Sequence, residues 1–94
     1  MALNLDVPNS EAAILTRALQ PERGDLSPDA AKSLLNFSIS EVDNDRAREL
    51  AAKARAGTLD AAEEAEINNY RGVGRLLELL KSKARLSLKQ ASAA

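Results

Sequence analysis

Hydrophobic residues in the first third of this chain recur at three- and four-residue intervals, which is the spacing of an amphipathic helix. The first such segment begins at a cap residue, Asn9 or Ser10, and reaches about Gln20 before a proline and a glycine stop it. The second starts with Ser27 as its cap, has a proline at its first helical position, and ends near Asn36. Two short helices are therefore predicted for this part of the chain.

The rest of the chain carries the signals of two longer helices joined by a tight turn. The third helix is predicted from its cap at Ser40 to Ala56, where Gly57 supplies the left-handed residue that ends it. The fourth opens with a capping box at Asp60 and runs without proline to about Gln90. The predicted fold is all-α: a small bundle of three to four helices organised on an antiparallel helical hairpin with a long C-terminal helix.

The two ends of the chain fall outside this helical pattern. Residues 2–8 alternate apolar and polar side chains, which is also the pattern of a short strand, but Pro8 ends the run at once. We predict an extended N-terminal tether over residues 1–8, with a strand as the alternative. Residues 9–90 are predicted to form a single helical domain, and residues 91–94 a disordered tail.

The long fourth helix carries apolar residues on more than one side. The predicted core-facing stripe follows the three-, four- and seven-residue spacing around Leu77, and its members are Tyr70, Val73, Leu77, Leu80, Ala84 and Leu88. Leu79 and Leu86 point to another side, although a surface helix in a monomer needs only one apolar face. These two leucines indicate burial between helices or a second contact, such as a dimer or a partner.

A polar stripe on the same helix is mostly basic, and its members are Arg71, Arg75, Glu78, Ser82, Arg85 and Lys89. One interpretation is a solvated face, because Glu78 interrupts the stripe and no aromatic residue interleaves for base stacking. The other is contact with phosphates or with an acidic protein. The hypothetical partner-binding residues are therefore Leu79, Leu86, Arg71, Arg75, Arg85 and Lys89.

The formal net charge of −1 conceals opposite charges at the two ends of the sequence. Residues 1–45 contain eight acidic and three basic side chains, a balance of −5, whereas residues 71–94 contain six basic side chains and one acidic, a balance of +5. The two ends can attract each other within the fold, or the basic end can face an acidic protein or nucleic acid. Both interpretations remain open at this point.

Composition argues against catalytic and metal chemistry. The chain has no cysteine and no histidine, so it lacks thiols and the commonest general base and metal ligand. The glycines of Arg71–Gly74 are not accompanied by the lysine and strand of a phosphate loop, and the acidic run at Glu63, Glu64 and Glu66 suits the start of a helix. We expect no enzymatic activity, no cofactor and no metal. Without a signal peptide or an apolar run of membrane-spanning length, we predict a cytoplasmic protein.

Two segments resemble a family of small uncharacterised bacterial proteins. The first is residues 48–89, RELAAKARAGTLDAAEEAEINNYRGVGRLLELLKSKARLSLK, whose GTL, AEI, tyrosine, VG and SKAR positions follow the family's pattern. The second is residues 24–35, GDLSPDAAKSLL, similar to the segment that the family carries upstream. The chain departs from the pattern at Asp60-Ala61, which replaces Thr-Pro, and at Gly72, which replaces a polar residue.

Members of that family are often encoded beside HNH-type endonucleases. The resemblance therefore implies a companion, inhibitor or antitoxin-like partner of a nuclease, and it assigns no functional residues. Our preferred hypothesis is a non-catalytic protein–protein interaction module that binds through its long C-terminal helix. The alternatives are a small DNA-binding regulator that uses the basic stripe of the same helix, and a homo-oligomeric helical scaffold.

Overall fold

The computed structural model describes residues 9–93, and this part of the chain consists of helices and their connections, without a strand. The helices are α1 (Glu11–Leu19), α2 (Pro28–Leu35), α3 (Glu41–Ala56) and α4 (Ala61–Ala93). The prediction of an all-α fold with a long C-terminal helix is confirmed. The predicted tether or strand at residues 1–8 lies outside the described residues.

Side-chain caps fix where all four helices begin. The Oγ atoms of Ser10, Ser27 and Ser40 each accept a hydrogen bond from the backbone N–H three residues later, at 3.1, 3.2 and 3.1 Å. At the start of α4, the Glu63 N–H donates to Asp60 Oδ1 at 2.8 Å, and the Asp60 N–H donates to Glu63 Oε1 at 3.1 Å. These bonds satisfy N–H groups that have no partner inside the helix. The predicted caps and the predicted capping box are thereby confirmed.

The helix ends follow from backbone conformation. Gly57 adopts φ +70° and stops α3 at Ala56, as predicted, because a left-handed residue cannot continue the helix. Gln20 takes the same role after α1 with φ 51°, which is unusual for a residue with a side chain. Helix α4 continues to Ala93, past Gln90 where the sequence pattern ends it.

The other three helices all pack on α4. Among residues 9–93, every close helix–helix contact involves α4, and its contact with α2 is the most extensive. α3 folds back along the first part of α4 as the predicted antiparallel hairpin. The loop that leads into α2 is bonded to Ser87, so α2 lies along the second part. The molecule is elongated, with extents of 52 × 30 × 18 Å and a radius of gyration of 15.8 Å, against about 12 Å for a compact domain of this length.

The buried face of α4 differs from the predicted stripe. Its buried residues are Ile67, Gly72, Leu76, Lys83, Ala84 and Ser87. Of the predicted stripe only Ala84 is buried, whereas the other members, Tyr70, Val73, Leu77, Leu80 and Leu88, are partly exposed. The prediction was wrong because it was centred on Leu77 and counted only apolar side chains. Burial is centred near Leu76 and includes a lysine and a serine whose polar atoms are hydrogen-bonded.

Candidate functional site

An open hollow of about 780 Å³ lies on the exposed side of α4 and is the main candidate for a binding site. All its lining residues come from this one helix: Arg71, Gly74, Arg75, Glu78, Leu79, Ser82 and Arg85. We call it the α4 hollow. Because residues three and four apart are neighbours on a helix, these side chains form one continuous surface about four turns long. A surface of this shape suits another helix or an extended chain segment.

The structure brings together four of the six predicted partner-binding residues. Arg71, Arg75, Leu79 and Arg85 line the α4 hollow. Lys89 is exposed one helical turn beyond Arg85, outside the lining set. Leu86 is only partly exposed and also lies outside the set; its carbonyl carbon is 3.0 Å from where a Cβ on Gly24 would lie, in the loop before α2. Of the two leucines, Leu79 lines the α4 hollow and Leu86 does not.

Gly74 is the one residue lining the hollow that has no side chain. A Cβ atom added at Gly74 would meet nothing within 4 Å beyond its chain neighbours and the adjacent backbone of α4, so no packed residue requires a glycine there. Glycine inside a helix costs about 1 kcal/mol relative to alanine, and α4 is continuous through this position. By contrast, Gly72 is buried, on the side that faces the other helices. The cost of Gly74 has no compensating contact within the described part of the chain.

The charge on the α4 hollow is positive with an acidic residue at its centre. Glu78 pairs with Arg85 at 3.4 Å, and both side chains are more than half exposed. Arg71 Nη1 donates a long hydrogen bond of 3.4 Å to Asn68 Oδ1. Exposed contacts of this kind contribute little to stability, so these guanidinium and carboxylate groups can exchange partners at little cost.

A second hollow of about 430 Å³ lies between α3 and α4. Its lining residues are Ala54, Gly57, Leu59, Glu64, Ile67, Asn68 and Arg71. Because Arg71 lines both hollows, the two form one path along α4. Glu64 is exposed on this path and adds an acidic residue to it.

The sequence analysis missed Lys83, whose side chain is only 5% exposed. Its ammonium group donates to the carbonyl oxygens of Gln20 and Arg23, at 3.2 and 2.8 Å, and to Asp25 Oδ1 at 2.5 Å. These three acceptors use its full donor capacity. The hydrogen bond from Lys83 lowers the pKa of Asp25 below its usual value. Lys83 thus joins α4 to the loop between α1 and α2, and it has a structural role.

Ser87 and Gly24 complete this junction. Ser87 is buried; its hydroxyl donates to the Lys83 carbonyl at 2.8 Å and accepts from the Leu26 N–H at 3.2 Å. A Cβ on Gly24 would lie 2.5 Å from Gln90 Oε1 and 3.0 Å from the Leu86 carbonyl carbon. Parts of the two segments that carry the family resemblance therefore contact each other here. No signal in the sequence pointed to this junction, because Gly24 and Ser87 are 63 residues apart along the chain.

Ion pairs hold α3 against the first part of α4. Arg46 bonds Glu66 through two nitrogens, at 2.7 and 2.8 Å, and Lys53 bonds Glu63. The hydrogen bond from Arg46 lowers the pKa of Glu66, and the hydrogen bond from Lys53 lowers the pKa of Glu63. The Tyr70 hydroxyl donates to Asp43 Oδ1 at 2.8 Å, and this bond raises the pKa of Tyr70. These groups stabilise the hairpin.

Among residues 9–93, no group of three or more His, Cys, Asp or Glu side chains is placed to hold a metal ion. None of the helices in the same range combines the length and apolar composition needed to cross a membrane. What the α4 hollow offers chemically is donor-rich guanidinium groups around an apolar floor. Such a surface can bind carboxylates and apolar side chains together.

Comparison with known protein families, with curated proteins and with solved structures gives no significant match.

Proposed function

We propose that this protein is a non-catalytic protein-binding module whose binding surface is the α4 hollow. The observation that carries the proposal is Gly74, which opens the hollow on the exposed side of α4 without any contact that requires a glycine. A residue that weakens its own helix is readily explained if the space above it is used by a partner. Close approach of a second backbone is a common reason for glycine in a helix surface.

The chemistry of the hollow favours a partner with acidic and apolar side chains. Arg71, Arg75 and Arg85 are exposed and can form paired hydrogen bonds with carboxylates. Leu79 supplies an apolar contact between them. Arginine around an apolar residue is a composition enriched in protein–protein interfaces. By the family resemblance, we propose an HNH-type nuclease as the partner, with this protein as its companion or antitoxin-like inhibitor.

The test is complex formation by the Leu79→Asp variant. We expect the wild-type protein to form a mixed complex with an HNH-type nuclease of the same organism, measured as mass by light scattering. Leu79→Asp should lower the affinity at least about tenfold, because a carboxylate replaces the apolar contact at the centre of the interface. The helical circular dichroism should be unchanged, since Leu79 is not among the buried residues of α4.

The matched control is Leu15→Asp, on the exposed side of α1, where Leu15 is 52% exposed. It introduces the same carboxylate away from the α4 hollow and should leave complex formation intact. Equal binding by Leu79→Asp and wild type would remove the α4 hollow from the interface. The absence of any complex with the nuclease would reject this partner.

The salt dependence of the affinity for DNA distinguishes the DNA-binding alternative from the protein-binding proposal. If the arginines of α4 bind duplex DNA, the affinity should fall steeply as the salt concentration rises. Removal of one arginine should reduce the slope of log affinity against log salt by the amount of about one phosphate contact. Measuring the affinity for a duplex over a salt series, with Arg75→Gln beside the wild type, distinguishes the two. Glu78 lies at the centre of the hollow and would face the phosphates, which favours the protein partner.

A further inference from the structure

The exposed side of α4 carries an alternating row of charges at seven-residue spacing: Glu64, Arg71, Glu78 and Arg85. We call it the charge row. Seven residues make almost two turns of a helix, so the four positions follow one line with a drift of about 20° per step. All four side chains are exposed. The row crosses both hollows, because Glu64 and Arg71 line one and Arg71, Glu78 and Arg85 line the other.

This order of signs is complementary to itself when two helices run antiparallel. A two-fold axis that passes between Gly74 and Arg75 sets residue 71 opposite residue 78, and residue 64 opposite residue 85. Each arginine then faces a glutamate of the other copy. A shift of seven residues in either direction sets like charges opposite each other, and so does a parallel pairing in register. Charge therefore selects one orientation and one register, as it does in coiled coils.

The same two-fold axis also explains why position 74 is a glycine. It sets Arg75 of one copy over Gly74 of the other, where a Cβ would meet no atom beyond the adjacent part of α4. The residues around that point, Arg71, Gly74, Arg75 and Glu78, have the i, i+3, i+4, i+7 spacing of a hole that receives one side chain of a facing helix. The methylene groups of Arg75 fit such a hole, and its guanidinium can reach Glu78 of the other copy.

From this juxtaposition we infer that the occupant of the α4 hollow in the free protein is a second copy of this chain, bound antiparallel through the charge row as a two-fold dimer. The inference rests on the proposed use of this surface as a protein interface, and it names the first partner that the surface fits. Another protein that binds the hollow would then compete with dimerisation. The intrachain pair of Glu78 and Arg85 does not prevent this, because both side chains are more than half exposed.

The experiment uses reversed charges in the full chain. In wild-type protein, sedimentation equilibrium should give twice the chain mass as concentration rises. Arg71→Glu or Glu78→Arg alone sets like charges opposite each other at two symmetry-related positions, and should raise the dimer Kd by about tenfold or more. The double variant Arg71→Glu/Glu78→Arg restores opposite charges and should return the Kd to within about threefold of the wild-type value.

Mixing the two single variants is the most specific measurement. One copy then carries glutamate at positions 71 and 78 and the other carries arginine at both, so a mixed dimer regains every pair. We expect the equimolar mixture to dimerise more tightly than either variant alone. Glu22→Arg, in the exposed loop before α2, makes the same change in net charge as Glu78→Arg and should dimerise like the wild type. Circular dichroism should show all variants to be equally helical.

A wild-type protein that stays monomeric at every concentration overturns the inference, as does a dimer that ignores the single charge reversals. Because no other protein is present in this experiment, its failure leaves the nuclease test with Leu79→Asp unaffected. A dimer with the expected charge response that forms no complex with the nuclease supports the inference and rejects that partner.

Discussion

Lys83 is buried, although its residue type and its position in a helix predict an exposed side chain. A lysine in a helix usually lies on the solvated side, and burial of an unpaired charge is costly. Here the side chain reaches out of α4 and donates to two backbone carbonyls and one carboxylate of the loop that follows α1. The Arg23 carbonyl receives its donor from Lys83, whereas the Gln20 carbonyl also accepts from the Arg23 N–H at 3.0 Å. The lysine, in turn, replaces water with three fixed acceptors.

Replacement of Lys83 should therefore destabilise the protein more than replacement of its ion-pair partner. We expect Lys83→Met to lower the free energy of unfolding by about 2 kcal/mol, because it leaves the Arg23 carbonyl without a donor and removes the bonds to the Gln20 carbonyl and to Asp25. Asp25→Asn should cost less, since the Asp25 side chain is 50% exposed and the two carbonyl bonds to Lys83 remain. Urea denaturation of both variants measures the difference. A larger loss for Asp25→Asn would show that charge, not carbonyl satisfaction, holds this junction.

At this scale the sequence was informative about caps and uninformative about buried polar groups. Ser10, Ser27 and Ser40 could be predicted because a cap acts on backbone groups three residues away. Lys83 and Ser87 could not, because their partners are about sixty residues away along the chain. The acceptors for Lys83 include backbone carbonyls, which every residue has. No spacing of side chains identifies them.

Two glycines, Gly72 and Gly74, lie inside α4 and weaken the helix. A third, Gly24, lies in the loop before α2, where close contact with α4 leaves no room for a side chain. Gly74 lies under open space, whereas Gly24 is held so closely against α4 that a Cβ would meet the Leu86 carbonyl carbon at 3.0 Å. Neither of these two has a positive φ. The difference between them is therefore one of available space.

Alanine should have opposite effects at these two positions. We expect Gly74→Ala to raise the free energy of unfolding by about 0.5–1 kcal/mol, because it lowers the backbone entropy lost on folding and meets no neighbour. Gly24→Ala should lower it by about 1–2 kcal/mol, because the backbone of α4 or of the loop must move. Thermal unfolding at a protein concentration where the mass is that of a monomer measures both. Destabilisation by Gly74→Ala would mean that α4 is not a regular helix at this point.

The bounds of the helices were predictable, while the orientation of α4 was not. Start and stop signals are local, and they placed α3 at its observed bounds. The buried face depends on which side the other helices cover, and leucines on several sides of α4 make that choice ambiguous. Gly72 and Ser87 are small enough to let another segment approach, and they lie on the buried side between the leucine positions. For the candidate site, the basic stripe was visible in the sequence, but the open space above Gly74 required coordinates.

In the whole molecule, the two parts of α4 are stabilised differently. The first part holds α3 with two buried apolar residues, Leu50 and Ile67, and with the ion pairs Arg46–Glu66 and Lys53–Glu63. The second part holds α1 and α2 with more buried apolar residues and the Lys83–Ser87 junction. The first part should accordingly be the more sensitive to pH.

Acid should loosen α3 before it loosens α2. The pKa values of Glu63 and Glu66 lie below the ordinary value of 4.5, so the stability they contribute is present above that value and is lost as pH falls through their folded-state values. Hydrogen exchange, corrected for the intrinsic pH dependence of amides, should show α3 losing protection first between about pH 5 and pH 3. The pKa of Asp25 is also lowered, so its pair with Lys83 likewise loses stability as pH falls. At that junction, buried apolar residues contribute to the stability as well.

The matched variants are Glu63→Gln/Glu66→Gln and Glu64→Gln. The double variant should lower the protection of α3 already at neutral pH and remove most of its acid response. Glu64→Gln, whose side chain is exposed and takes no part in the ion pairs that hold α3, should behave like the wild type. Simultaneous loss of protection in α2 and α3 would mean that the molecule opens as one unit.

Because α1, α2 and α3 all pack on α4, the chain can complete its fold only after α4 has been synthesised. Domains whose helices pack in chain order can begin to fold while the ribosome is still adding residues, but α1, α2 and α3 contact α4 and not one another. At about 5–20 residues per second, the 33 residues of α4 take roughly 2–7 seconds to add. During that time the apolar residues of α1, α2 and α3 lack the helix on which they pack. Chaperone contact with this protein should therefore concentrate in the interval before α4 has been made.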